Sequence, residues 1–223
     1  DISNPYFAVI AKNVEMAARA GGYSVILCDS EENTDLEAES LTLLRDRKVD
    51  GLVIAPVGQS AEHFDTIRDG NPPAVVIDRH FPHLGLPYVT SDNYRGAMDA
   101  TNYFLERGHR TIACVQGLAK TSPNRERVRG YQTALTEHGI PVDDSLVVGS
   151  SFSEENGYIC AKLLIKNTKG VTAMLALSNL IALGILRALS EEALRVPDDM
   201  SIICFDDQPY CAHLNPPMTA VEQ

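Results

Sequence analysis

The sequence predicts an α/β protein with two doubly wound lobes, each built on a parallel sheet. Short apolar runs, typical of strands covered on both faces, alternate with segments of helical spacing along the whole chain. The alternation restarts once, near Gly108-His109, so we predict a first lobe over residues 1–108 and a second over 109–221. A chain of 223 residues with 44% hydrophobic residues is long and apolar enough for two such cores.

The first half of the chain predicts helices joined by buried strands. Asn4 is placed as an N-cap, Pro5 takes the first helical position, and Gly21-Gly22 ends the helix. The spacing of Thr34 and Glu37 predicts a capping box at the start of a second helix. The other predicted elements are strands at 23–29, 51–56 and 74–78, a helix near 60–69, and a helix that follows the stretch 88–92 and runs to Gly108.

The second half repeats the rhythm. The predicted elements are the strand 111–117, a helix at about 125–138, the strand 146–149, a helix at about 153–166, the strand 172–178, the helix 180–190 and the strand 201–205. Since strands that alternate with helices form parallel sheets, the carboxyl ends of these strands should meet at one edge.

Composition narrows the function classes. Acidic residues outnumber lysine plus arginine by 30 to 19, so this segment alone should repel nucleic-acid backbones. The basic stretch 125–129 is consistent with a local patch for nucleic acid, and equally with one face of an ordinary amphipathic helix. Five scattered cysteines without a C-x-x-C pair indicate core residues in a reducing compartment, and the six histidines show no metal spacing. No apolar run is long enough for a membrane span, and no signal peptide is present, so we expect a cytoplasmic protein.

The motifs of common enzymes and cofactor sites are missing from the sequence. It contains neither G-x-G-x-x-G nor G-x-S-x-G, and "GLAKTSPN" lacks the second glycine of a phosphate loop. Asp206 and Asp207 are adjacent, so their side chains should point to opposite faces and serve poorly as an acid/base pair. We therefore expect no cofactor, and an enzyme is the least favoured class.

Polar residues follow several of the predicted strands, where open parallel sheets bind ligands. They are Asp29, Asp78-Arg79, Ser178-Asn179 and Asp206-Asp207, with Tyr6, Phe7 and Phe152 in nearby loops. A carboxylate, a guanidinium, amides and rings together suit a small polar molecule. Plainer interpretations stay open: Asp206 as a solvated turn acid or helix cap, Arg127 as a partner of Glu126, and Phe152 as ordinary core.

Long stretches of the chain resemble the effector-binding domain of the lactose/galactose repressor (LacI/GalR) family of bacterial transcription regulators. The resemblance covers essentially the whole chain in the family's order. The stretches that carry it are "DISNPYFA" (1–8), "GYSVILCDSEENTDLEAESLTLLRDRKVDGLVIAP" (22–56), "VVIDR" (75–79), "SDNYRGAMDATNYFLERGHRTIACVQG" (91–117), "RERVRGYQTALTEHGI" (125–140), "ALSNLIALGILRAL" (176–189), "RVPDDMSIICFDD" (195–207) and "LNPPMTAVEQ" (214–223).

The resemblance implies a periplasmic-binding-protein-like fold of type I, with an effector held between two lobes that three crossing strands join. It places the first crossing near Gly108-His109, and residues 222–223 at the start of the return crossing. In the family, a homodimer carries this domain, a first strand and a DNA-binding helix-turn-helix precede it, and further first-lobe elements follow. We expect residues 210–214 and the helix after Leu183 to lie at the subunit interface.

The family's effector contacts correspond to particular residues of this chain. Arg127 matches the cleft arginine, Asp206 the acid after the last strand, and Phe152 the aromatic residue that stacks on a sugar or base. The remaining matches are Tyr6 and Phe7 in a loop that covers the ligand, Tyr94 as a polar contact, and Gln223 at the third crossing. The chain departs from the family at Ser178-Asn179, where Asn-Asp is usual, so an amide stands where the family has a charge.

These observations lead to one hypothesis and two alternatives. The hypothesis is the effector-sensing and dimerisation domain of a LacI-type regulator, in which a sugar or nucleoside controls DNA binding. The first alternative is a periplasmic sugar-binding receptor of a transporter, which shares the fold. The second is a sugar-modifying enzyme. An upstream helix-turn-helix, a signal peptide or substrate turnover would distinguish the three.

Overall fold

The polypeptide forms helices and parallel strands in alternation, and the α/β prediction is confirmed. The computed structural model describes residues 2–58, 61–67 and 70–223. The helices are α1 (Pro5–Ala20), α2 (Thr34–Asp46), α3 (Asn93–Glu106), α4 (Ser122–Glu137), α5 (Glu154–Asn167) and α6 (Asn179–Glu191). The strands are β1 (Leu52–Ile54), β2 (Ala74–Ile77), β3 (Tyr88–Val89), β4 (Ile112–Val115), β5 (Val147–Val148), β6 (Ala173–Ala176), β7 (Ser201–Phe205) and β8 (Thr219–Val221). Short 3-10 helices cover Glu62–Ile67, Pro82–Leu84, Asp144–Leu146 and Pro209–His213.

Two compact units divide the chain, the first unit at residues 1–90 and the second unit at 91–223. In the second unit the strands lie in the order β5-β4-β6-β7-β8, and every pair is parallel. The residues of β4 and β6 are buried throughout, which explains the continuous apolar runs of the sequence. β8 is a strand that the sequence pattern did not separate from the predicted crossing.

Helices cover both faces of the sheet in the second unit. Because successive strand residues point to opposite faces, Met174 packs into one core cluster and Leu175 into another. The first cluster contains Ile181 and Ile185 of α6 together with residues of α5. The second cluster contains residues of α3 and α4, among them the fully buried Tyr131. The second unit is therefore doubly wound, as predicted.

Helix α3 belongs to the second unit because it packs closely along α4. A β-carbon at Gly130 of α4 would lie 2.2 Å from the carbonyl oxygen of Tyr94 in α3, so the two backbones approach where glycine leaves room. The compact units divide before this helix. The lobe boundary at Gly108-His109, which was inferred from sequence rhythm, stays a prediction.

The first unit contains the parallel sheet β1-β2-β3 and a smaller core. Leu41 of α2 packs there with Phe64 and Ile67 of the 3-10 helix. The sequence predicts a longer helix near 60–69, of which residues 60, 68 and 69 lie outside the described residues. Helix α1 begins as predicted, with Pro5 in its first turn and the Asn4 side chain accepting a hydrogen bond from the Tyr6 backbone N–H at 3.1 Å.

The predicted strand over residues 23–29 is wrong for the described chain, which has no ladder there. Val25, Ile26 and Leu27 expose 40 to 59% of their surface, so neither face of the segment is covered. A strand needs a neighbour that supplies its backbone hydrogen bonds, and among the described residues no strand pairs with this segment. The apolar run therefore identified a sequence suited to a buried strand but not its partner.

The predicted capping box at the start of α2 is also wrong. Asn33 is the N-cap, and its side chain accepts hydrogen bonds from the N–H groups of Asp35 and Leu36. Glu37 instead turns inward, where its buried carboxylate accepts hydrogen bonds from the Val57 N–H at 3.2 and 3.3 Å and lies 2.5 Å from His63 Nε2. The helix thus gains a cap one residue earlier, and its glutamate anchors a loop.

Burial of Glu37 should make the stability of the first unit dependent on pH. Desolvation raises the pKa of Glu37 above its ordinary value of 4.5, despite the hydrogen bonds from His63 and Val57. The folded state therefore holds a proton that the unfolded state releases, and this contribution to stability is lost as pH rises through the folded pKa. We expect Glu37→Gln to flatten the decline in stability as the pH rises above 4.5, measured by urea unfolding. The exposed Glu39→Gln is the control, and a pH profile unchanged by Glu37→Gln would contradict the expectation.

Candidate functional site

The carboxyl ends of the strands in the second unit meet at one edge of its sheet. The chain leaves β4, returns as β5 on one side, and then returns as β6 on the other side of β4. Such a reversal of strand order opens a crevice between the helices that follow the neighbouring strands. The residues that follow β4, β6, β7 and β8 therefore form the candidate site.

Arg127 of α4 lies at the centre of this edge and is 4% exposed. Its Nε donates to Asn93 Oδ1 at 2.7 Å, and its Nη1 donates to the Leu177 carbonyl oxygen at 2.6 Å. Its Nη2 donates to Gln223 Oε1 at 3.1 Å. The guanidinium carbon stands 3.9 Å from the ring centroid of Phe205, which adds a cation–π contact. The guanidinium is therefore fixed in place by residues at the ends of several elements.

Asp206 follows β7 directly and is 5% exposed. Its backbone has φ of 73°, a left-handed conformation that a non-glycine residue adopts at a cost in free energy. The Val221 carbonyl of β8 holds this turn by accepting the Asp206 N–H at 3.0 Å. Strained backbone at a strand end is a feature that clusters at ligand sites, and here it turns the carboxylate toward the edge that Arg127 occupies.

The Gln223 side chain connects the two charged groups. Its Oε1 accepts from Arg127, and its Nε2 donates to Asp206 Oδ1. One side chain thus presents an acceptor to the guanidinium and a donor to the carboxylate at the same time. The three predicted site residues Arg127, Asp206 and Gln223 are brought together, and Glu126 pairs with Arg129 rather than with Arg127.

Phe152 follows β5, and its ring lies over Gly117, just beyond the end of β4. A β-carbon at Gly117 would stand 2.3 Å from the Phe152 ring, so the ring rests on the glycine backbone. Gly117 is held in turn by its N–H, which donates to Asn124 Oδ1 at 2.8 Å. The half-buried ring also contacts the core cluster beneath the sheet. Its face toward a ligand stays a prediction.

Ser178 and Asn179 begin α6, and both are buried. The Ser178 hydroxyl caps the helix by accepting the Ile181 N–H at 3.3 Å. Asn179 Oδ1 accepts the Leu180 N–H at 2.8 Å. Leu177, whose carbonyl oxygen accepts from Arg127, immediately precedes this pair, so the departure from the family lies beside the guanidinium.

The other predicted contacts lie outside this hydrogen-bonded group. Tyr94 of α3 stacks on Arg129, whose guanidinium carbon is 4.3 Å from the ring centroid. In the first unit, the rings of Tyr6 and Phe7 meet edge to face with centroids 5.0 Å apart. The roles of these three residues as effector contacts stay predictions.

Sequence reasoning missed Asn93 as a member of the site. Asn93 is the first residue of α3 and is buried, and its side-chain Oδ1 accepts the hydrogen bond from Arg127 Nε–H. The stretch "SDN" (91–93) resembles the family, yet nothing in its local pattern pairs it with a residue on another helix. A polar residue that follows a strand and begins a helix was the available signal.

The described part of the chain offers neither a metal centre nor a helix that could span a membrane. Within residues 2–58, 61–67 and 70–223, no cluster of three histidine, cysteine or acidic side chains is arranged to hold a metal ion. In the same residues, no helix has both the length and the apolarity needed to cross a bilayer. The five cysteines are free thiols, of which Cys114, Cys160, Cys204 and Cys211 are buried.

The fold and the strand-edge site define a periplasmic-binding-protein-like domain, and the family model of that description matches residues 101–223. The HTH-type transcriptional regulator DegA of Bacillus subtilis strain 168 is 32% identical over 227 residues, which cover 100% of this chain and 67% of DegA. The chain therefore belongs to the LacI family of transcriptional regulators and corresponds to their effector-binding domain. It spans about two thirds of the length of such relatives.

Solved structures agree with this assignment. A putative ribose operon repressor from Burkholderia thailandensis superimposes with a TM-score of 0.91 at 34% identity, covering 100% of this chain and 83% of that one. A LacI family regulator from Enterococcus faecium, solved with bound ribose, gives 0.88 at 28% identity, with 100% and 81% covered. These relatives are transcription regulators rather than enzymes, so the enzyme alternative is set aside.

Proposed function

We propose that the second unit binds a sugar or nucleoside through Arg127 and Asp206, and that this binding controls the DNA affinity of a homodimeric regulator. The observation that carries the proposal is the pair of buried, opposite charges joined by Gln223. Burying charged groups costs free energy. A site in which two buried charges contact one polar side chain, whose place a ligand group can take, is suited to ligand recognition.

The contacts of Gln223 indicate which groups the site accepts. Gln223 presents an acceptor to Arg127 and a donor to Asp206. Neighbouring hydroxyls of a sugar or ribose ring offer the same combination. The partly exposed Phe152 ring at the end of β4 offers an apolar face beside them. The bound ribose in the Enterococcus faecium relative supports a pentose-containing effector.

Control of DNA binding requires that the effector favour one arrangement of the regulator over another. A differential affinity equivalent to about 1–3 kcal/mol is the usual scale of such coupling. The DNA-binding part is the helix-turn-helix that the family resemblance implies. The sign of the response, release or retention of DNA, follows from which arrangement the effector favours.

Calorimetric titration tests the binding site. D-ribose, D-galactose, adenosine and cytidine are titrated into the wild-type protein and into Asp206→Asn, which keeps the shape of the side chain but removes its charge. We expect the bound panel member to lose about 10- to 100-fold in affinity, because hydrogen bonds to a charged group contribute about 1.5–3 kcal/mol.

The exposed neighbour Asp207 supplies the control. Asp207→Asn makes the same chemical change one residue away and should leave the affinity unchanged. If Asp206→Asn binds as tightly as the wild type, the carboxylate does not contact the effector and the proposed site is wrong.

A further inference from the structure

Asn156 of α5 connects the loop that follows β5 to the end of β4. Its Nδ2 donates to the Gln116 carbonyl oxygen at 3.0 Å and to the Ser151 carbonyl oxygen at 2.6 Å. Its Oδ1 accepts the Ser150 N–H at 3.0 Å. A side-chain amide has two N–H donors and one carbonyl oxygen, so both ends of this amide are bound to backbone groups of two separate segments.

The amide has a single orientation that satisfies these contacts. Carbonyl oxygens only accept and a backbone N–H only donates, so Nδ2 must face Gln116 and Ser151 while Oδ1 faces Ser150. The backbone of Asn156 is fixed as well, because its N–H donates to the hydroxyl of Ser153, the N-cap of α5, at 3.2 Å. The amide thus attaches the loop to the first turn of α5.

The backbone at the start of the loop passes directly against this amide. Gly149 has φ of 112°, and a β-carbon there would stand 2.4 Å from the Gln116 carbonyl oxygen and 3.0 Å from Asn156 Nδ2. Only glycine combines that conformation with that close approach. The Gln116 N–H also donates to the Val148 carbonyl oxygen at 2.8 Å, so the loop leaves β5 in contact with the end of β4.

These contacts determine where the Phe152 ring lies. Phe152 directly follows Ser151, whose carbonyl oxygen accepts from Asn156. The ring lies over Gly117, which directly follows Gln116, the second residue whose carbonyl oxygen accepts from the same amide. One side chain therefore fixes both the segment that carries the ring and the segment on which the ring rests.

We propose that Asn156 is a positioning residue of the effector site, which acts through Phe152 by holding that ring in place before the effector binds. The inference rests on the proposed function, in which the ring offers an apolar face to a sugar or nucleoside. The Asn156 amide is engaged with the backbone at both ends, so it is not a direct contact of the effector. Ordering a loop and its ring on binding costs conformational entropy, and a ring that is already ordered avoids that cost.

A double-mutant cycle tests whether Asn156 acts through the ring. Asn156→Ala and Phe152→Ala are made singly and together, and calorimetry measures the affinity for the panel member that the wild type binds. We expect Asn156→Ala to weaken binding about tenfold. The double variant should bind no more weakly than Phe152→Ala, because without the ring there is nothing left to position. Losses in affinity that multiply in the double variant overturn the proposal.

Asn156→Asp removes the same donors with less disturbance of the fold. The carboxylate keeps an acceptor for the Ser150 N–H but cannot donate to Gln116 or Ser151. An acidic residue in the first turn of a helix is stabilising, so α5 should form, and the affinity should fall as in Asn156→Ala. Asn167→Ala, at the exposed end of the same helix, is the control and should bind like the wild type.

Tryptophan fluorescence tests the position of the ring without an effector. The chain has no tryptophan, so Phe152→Trp introduces a single fluorescent probe at the ring position. Adding Asn156→Asp to this variant should roughly double the acrylamide quenching constant, because the released ring becomes exposed to solvent. Adding Asn167→Ala instead should leave the quenching constant unchanged.

The outcomes separate the two proposals. A quenching constant that Asn156→Asp leaves unchanged shows that Asn156 does not fix the ring, and it overturns this inference whether or not a panel member binds. A wild type that binds no panel member, with quenching raised by Asn156→Asp, overturns the proposed effector class and supports the role of Asn156 in fixing the ring.

Discussion

Replacing Arg127 with lysine should destabilise the second unit by about 3 kcal/mol and weaken effector binding at least about a hundredfold. Lysine keeps the positive charge but lacks the planar fork that reaches Asn93, Leu177 and Gln223 together. Two of these partners, Asn93 and Leu177, are buried, so the loss includes their unpaired acceptors as well as the missing hydrogen bonds. Urea unfolding followed by circular dichroism measures the first effect, and calorimetry with the sugar and nucleoside panel measures the second.

Arg125→Lys is a matched control for this prediction. Arg125 lies on the same helix two residues earlier and is exposed. It takes part in none of the three hydrogen bonds that fix Arg127. The same substitution there should change stability by less than about 0.5 kcal/mol. If Arg127→Lys unfolds at the wild-type urea concentration, the guanidinium is not the fixed centre of the site.

Much of the second unit follows from its sequence because its local patterns and its tertiary contacts agree. Apolar runs became β4, β6 and β7, and residues at helical spacing became the helices that cover both faces. The segment 23–29 carries the same pattern without the same result, since a strand also depends on a neighbour that its own residues do not encode. The predicted capping role of Glu37 is wrong for a related reason. Its carboxylate contacts Val57 and His63, which lie elsewhere in the chain and are not encoded in the local pattern.

The charged residues of the candidate site were predictable from the sequence, but the residues that hold them in place by hydrogen bonds were not all predictable. The rule that ligands bind at strand ends, together with the family resemblance, selected Arg127 and Asp206, which share Gln223 as a partner. Asn93 was missed because its contact with Arg127 spans 34 residues.

Gly184→Ala should destabilise the second unit by about 3 kcal/mol or more, which is opposite in sign to the effect of helix propensity. In an open helix the change from glycine to alanine stabilises by about 1 kcal/mol. In α6, however, a β-carbon at Gly184 would stand 1.9 Å from the carbonyl oxygen of Glu154 and 2.6 Å from the Tyr158 nitrogen in α5. In the same way, a β-carbon at Gly157 of α5 would stand 2.1 Å from the carbonyl oxygen of Ile181 in α6.

Whether Gly184→Ala lowers or raises stability shows which effect is larger in α6, the close contact with α5 or the helix propensity of alanine. Since backbone atoms cannot rotate away, α5 and α6 must separate to admit the methyl group, and the core beneath them loosens. That core includes Ile181 and the start of α6, so Ser178 and Asn179 should shift at the site edge. Ser190→Ala, at an exposed position of the same helix, isolates the propensity term and should change stability by less than about 0.5 kcal/mol. A Gly184→Ala protein more stable to urea than the wild type would mean that α5 and α6 do not pack at backbone contact.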